Sequence, residues 1–85
     1  MGFAVHISET AAVELAAMDE VTSELLLMEM IGLSFDPLGR GAELERDDAV
    51  SRRMLGVGAL GLVVFEVDET AKRVTVLDVV WIRPD

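Results

Sequence analysis

The chain predicts an α+β fold, a helical hairpin packed on a mostly antiparallel sheet, with its elements in the order β-α-α-β-β-β. Three observations carry this. The last third holds three runs rich in β-branched residues, split by two turn signals. The first half has apolar residues at helical spacing, with cap residues at the right places. A short alternating segment precedes the helices.

The elements follow in order. From Gly2 to Ser8, Phe3, Val5 and Ile7 alternate with Ala4, His6 and Ser8, which is the period of a strand. Ser8 or Thr10 is suited to cap the next helix, and Glu9 complements its N-terminal dipole. Val13, Ala16 and Ala17 give that helix an apolar stripe. Asp19 reads as a second N-cap with Glu20 in the first turn, so two helices are expected rather than one. The second runs to about Ile31 and stops at Gly32 as a C′ residue. Val21, Leu25, Met28 and Gly32 form one line on it, and Leu26, Leu27, Met30 and Ile31 widen the apolar surface well beyond a stripe.

Asp36-Pro37-Leu38-Gly39-Arg40-Gly41 is a loop, and residues 42–51 read as loop or an edge segment. A second strand covers about Arg52 to Val57, followed by a turn at Gly58-Ala59-Leu60-Gly61. The third strand is Leu62 to Asp68, and Asp68 to Lys72 forms the next hairpin loop. The fourth, Arg73 to Ile82, is nearly continuous in β-branched residues. It is expected to be central and buried on both faces, with Pro84 ending it.

Eighty-five residues make one domain, 1–85, with one modest core. An apolar fraction of 52% and a mean hydropathy of +0.43 are high for so small a chain. Some apolar side chains must reach the surface, which predicts a homodimer or a partner complex. There is no cysteine and one histidine, His6, so no disulfide, thiolate chemistry or ordinary zinc site is expected. The N-terminus lacks a basic segment followed by an apolar one, and Leu25 to Phe35 is too short to span a bilayer. The expectation is a cytoplasmic protein with no membrane association and no cofactor.

Charge restricts the partners. Sixteen acids stand against seven bases, a formal net charge of −9. Residues 1–39 hold seven acids (Glu9, Glu14, Asp19, Glu20, Glu24, Glu29, Asp36) and no Lys or Arg. Nucleic-acid affinity rests on neutralising phosphates with Lys and Arg, so no DNA partner is expected and the ribosome or mRNA is disfavoured. The pattern fits a basic protein partner, or an acidic face that keeps an apolar chain in solution.

The element order resembles the RelE/ParE superfamily of toxins from type II toxin–antitoxin pairs. So do Val5-His6-Ile7-Ser8 before an alanine-rich helix, and Leu33-x-x-Asp36-Pro37-Leu38-Gly39 after the helical hairpin. Arg53-x-Leu55-x-Val57-Gly58, Val64-Phe65-Glu66-Val67-Asp68 and Val74-x-Val76-Leu77-x-Val79-x-Trp81 complete the likeness over nearly the whole chain. The resemblance implies one of two activities: metal-independent cleavage of mRNA in the ribosomal A site, or inhibition of DNA gyrase. It also implies an antitoxin-like partner. By the same resemblance, Arg52, Arg53 and Arg83 are the candidate catalytic cations, and Trp81 a candidate platform for a base.

This chain departs from the family pattern in three places. Gly61, Leu62, Val63 and Val64 occupy the region of the family's strand-three arginine, the frequent C-terminal tyrosine is missing, and the helical hairpin carries no base. The other readings of the same residues are structural. His6 is a strand-face side chain, Trp81 is core or interface, and Arg52 and Arg53 point to opposite faces, one pairing with an acid such as Asp47 or Asp48. Glu43, Glu45 and Asp47 alternate without converging on a metal. Two functions remain: a toxin-like component of a toxin–antitoxin pair, active or degenerate, or a non-catalytic interaction module of the same fold.

Overall fold

The structure, a computed structural model, describes residues 2–81. Strand β1 is Ala4–Ile7, helix α1 Glu9–Ala16, helix α2 Glu20–Gly32, β2 Ala42–Asp47, β3 Val50–Val57, β4 Gly61–Asp68 and β5 Arg73–Trp81. A single 3-10 turn, Pro37–Gly39, precedes β2. The strands form one sheet in the order β1-β5-β4-β3-β2. All neighbours are antiparallel except β1 and β5. The α+β class and the helical hairpin stand as the sequence predicts, with one strand more.

That strand is β2, where the pattern allowed loop or edge. All six of its residues are exposed, and charges lie on both of its faces. A register shift between Glu43 and Glu45 leaves Leu44 as an extra residue, which breaks the alternation a strand would show.

Local chemistry explains the helix starts. The Ser8 hydroxyl accepts from the Ala11 N–H, and the Asp19 carboxylate accepts from the Thr22 N–H. Each satisfies a donor that the first turn leaves unpaired. Ser8 also donates to the Leu77 carbonyl at 2.9 Å, which pins the start of α1 to β5. Gly32 behaves otherwise than expected. It is the last helical residue, and Leu33 ends α2 in right-handed geometry. A Cβ there would lie 3.0 Å from the Arg40 guanidinium, the far end of a flexible side chain that crosses this position.

The core lies between the helices and one face of the sheet. Ala11, Leu15, Met18, Leu26, Met30 and Leu33 are buried there with Val63, Phe65, Val67, Val74, Val76 and Val79. The register fixes which strand residues point inward: Val63 faces Val79, Phe65 faces Val76 and Val67 faces Val74. Leu77 is an extra residue in β5, because Val64 pairs with Asp78 while Phe65 pairs with Val76. This bulge explains why the inward set jumps from Val76 to Val79.

One packing expectation is corrected, and packing decides which apolar positions of the two helices are buried. β5 is an interior strand but is not buried on both faces, since the helices cover one side only and Val80 is 50% exposed. The Val13, Ala16 and Ala17 side of α1 faces solvent, while Ala11 and Leu15 enter the core. On α2, Leu26 and Met30 are buried, whereas Val21, Leu25 and Met28 are exposed. No described helix is long and apolar enough to cross a membrane.

Candidate functional site

The sheet face away from the helices is the first candidate surface. Its residues follow from the pairing: His6 beside Thr75, Thr75 beside Glu66, Glu66 beside Arg52, and Arg52 beside Glu45. One polar row therefore crosses all five strands. At the β2 end, Glu45, Asp47, Val50, Arg52 and Glu66 line a shallow depression of about 240 Å³. Three carboxylates surround one guanidinium there. Arg52 lies 3.2 Å from Glu45 and 3.7 Å from Glu66, so its charge is answered from both neighbouring strands. A phosphate entering this depression would compete with both carboxylates and meet a third, which makes the site a poor one for RNA.

Arg53 points the other way and is 9% exposed. Its Nε donates to the Arg40 carbonyl at 3.2 Å, and its Nη2 donates to the Gly41 carbonyl at 3.4 Å. Glu43 stands 3.8 Å from its Nη1. A buried guanidinium needs such acceptors, and these bonds fasten the loop before β2 onto β3. Gly41 serves the same junction. Its φ is +71°, and a Cβ there would collide with the Met54 carbonyl.

Glu43 anchors a second cluster. Its Oε1 accepts from the Ser51 hydroxyl and from Arg46 Nε, both at 2.9 Å. The Ser51 bond first, and the Arg46 bond next, hold its carboxyl below the usual value. Arg46 also donates to Glu69 at 2.8 Å, tying edge strand β2 to the β4–β5 hairpin. The bonds to Glu69 and then Glu43 push the Arg46 guanidinium further above its ordinary value.

The residues singled out from sequence therefore do not converge. Arg52 lies on the open face and Arg53 beneath the sheet, which agrees with their alternation. Their partners are Glu45 and Glu66 for Arg52, and backbone carbonyls and Glu43 for Arg53, rather than Asp47 or Asp48, because partners across a strand pair outrank neighbours in sequence. Trp81 is half-buried and packs against the core. Arg83 lies outside the described residues. Arg73 carries no signal in the sequence beyond opening a strand, yet it is the one described arginine outside the ion pairs. It sits on β5 opposite Asp68, and only the register reveals it.

The second candidate surface is the outer side of α2. Val21, Leu25, Met28 and Ile31 are 66%, 43%, 67% and 63% exposed, and Phe35 just beyond the helix is 78% exposed. Large apolar side chains gathered in solvent on a chain this small are a feature that interaction surfaces share, which makes this face the second candidate.

No protein-family model matches the chain, and no curated protein matches it. Solved structures do. An archaeal RelE–RelB complex from Pyrococcus horikoshii OT3 superposes with a TM-score of 0.83 at 18% identity, covering 95% of this chain and 96% of that one. The RelBE2 toxin–antitoxin complex from Mycobacterium tuberculosis gives 0.79 at 18% identity, covering 96% of this chain and 100% of that one. A mutant of the E. coli toxin RelE in its free state gives 0.75 at 17% identity, covering 93% and 82%. The chain thus has a RelE-like toxin fold.

Proposed function

We propose that this chain is the toxin-like member of a toxin–antitoxin pair and that it acts by holding protein partners rather than by cutting RNA. The fold supports the first half of this reading, since one of its structural neighbours was solved as a toxin–antitoxin complex and another as a RelE–RelB complex. One observation carries the second half: Arg52 is bridged between Glu45 and Glu66 in a depression lined by three carboxylates. Metal-independent RNA cleavage needs cations free to meet the phosphate in the transition state. Of the two candidate cations among the described residues, Arg52 is engaged by two carboxylates and Arg53 is bonded to the Arg40 and Gly41 carbonyls on the other side of the sheet. In this reading the protein is cytoplasmic, and its antitoxin-like partner is encoded beside it.

The test is expression of the tagged chain at native level in its own host, followed by purification and identification of what comes with it. The expected result is a stoichiometric complex with the product of an adjacent small gene. A chain recovered alone, or only with proteins encoded elsewhere, overturns the proposal.

A further inference from the structure

We propose that the outer face of α2 is a docking surface for a basic amphipathic helix of a partner protein. This deepens the partner-binding reading by giving the partner's chemistry, and it rests on that reading only for the partner's identity.

The face is set by spacing. Val21, Leu25 and Met28 recur at i, i+4 and i+7, and Leu27 and Ile31 flank them one turn apart. All five are at least a third exposed. They form a broad apolar strip on the side opposite Leu26 and Met30, which enter the core. A strip of this form accepts the apolar side of another helix.

The charges choose the occupant. Glu20 and Glu24 continue the line of Leu27 and Ile31 toward the start of the helix, and both are exposed. Asp19 caps the same end. No Lys or Arg occurs anywhere in residues 1–39, against seven acids. The nearest following base, Arg40, is paired with Glu29 at 3.4 Å. Nothing in the hairpin therefore offsets the field at its N-terminal end. A second copy would bring another Glu20 and Glu24 to the interface. A helix with Leu on one side and Lys or Arg beside it meets both the apolar strip and Glu20 and Glu24.

The probes are two synthetic helical peptides of the same Leu pattern, one with Lys and one with Glu at the polar positions, titrated against the full chain. Wild type is expected to bind the Leu/Lys peptide and not the Leu/Glu peptide, more weakly as salt is raised. L25D/M28D is expected to weaken Leu/Lys binding about tenfold or more. E20K/E24K is expected to reverse the preference between the peptides. All four positions are exposed, and a circular-dichroism melt confirms that both variants fold. Equal binding of both peptides overturns the proposal, as does Leu/Lys binding that L25D/M28D leaves unchanged. So does a concentration-dependent self-association that L25D/M28D abolishes, which would assign the face to a second copy. None of these outcomes depends on whether an adjacent gene encodes an antitoxin.

Discussion

Arg52 and Glu66 face each other across β3 and β4 on the open side of the sheet, with the guanidinium 3.7 Å from the carboxylate and Glu45 closer still on the other flank. An arginine that on family resemblance would grip a phosphate is here held between two acids. Its neighbour Arg53 turns beneath the sheet to bond two carbonyls. The two residues thus differ in what they do for the protein, and the difference is measurable.

Arg53→Ala removes a buried donor set and leaves the Arg40 and Gly41 carbonyls without it, so it is expected to cost about 2–3 kcal/mol. Arg52→Ala breaks exposed ion pairs and is expected to cost about 1 kcal/mol or less. Urea unfolding of the two variants, read from the midpoints at a shared slope, checks the ordering.

Ser8→Ala loses both a helix cap and the hydroxyl bond to the Leu77 carbonyl. A loss of about 1–2 kcal/mol is expected. Ser8→Thr keeps the hydroxyl and should recover most of it. Thermal melts of the three proteins provide the comparison.

Gly41→Ala forces a side chain into left-handed backbone and against the Met54 carbonyl. The backbone alone costs about 1–2 kcal/mol, and the collision adds to it. Gly56→Ala, where a Cβ meets nothing within 4 Å, is the control and should be near neutral. Denaturant midpoints for the pair separate local strain from a general effect of the substitution.

Acid titration tests the Glu43 cluster. Ser51 and Arg46 hold the Glu43 carboxyl below its ordinary value of 4.5. The unfolded chain therefore takes up this proton first as pH falls. The stabilisation is fully present above 4.5 and is lost as pH falls through the lowered folded value. Asp19 acts in the same sense below 3.8, chiefly through its side-chain bond to Thr22. Glu43→Gln should lower stability at pH 7 and flatten the loss between pH 5 and pH 3. An unchanged acid slope in that variant contradicts the assignment.

What the sequence revealed divides by the range of the interaction. The caps at Ser8 and Asp19 are legible because each bond closes within three residues. So is the hairpin loop at Asp68, whose Oδ1 accepts from the Thr70 and Ala71 N–H groups. The burial of α2 is not legible, because apolar residues occur nearly all round it and only packing chooses Leu26 and Met30. The fates of Arg52 and Arg53 are hidden for the same reason. Alternation separates their faces, but Glu66 lies in another strand and the Arg40 carbonyl 13 residues away. Gly32 shows the same limit, because the group nearest its Cα face is the Arg40 guanidinium, which arrives from beyond the helix.

The measurement that bears most directly on the central claim is a reconstituted translation reaction. The purified chain is added to ribosomes stalled on a defined mRNA, and primer extension maps any breaks. Binding without RNA chemistry predicts full-length message at every concentration of wild type, as in buffer alone. Breaks at the codon in the ribosomal A site, present with wild type and lost with Arg52→Ala, would contradict it and restore Arg52 as a catalytic cation.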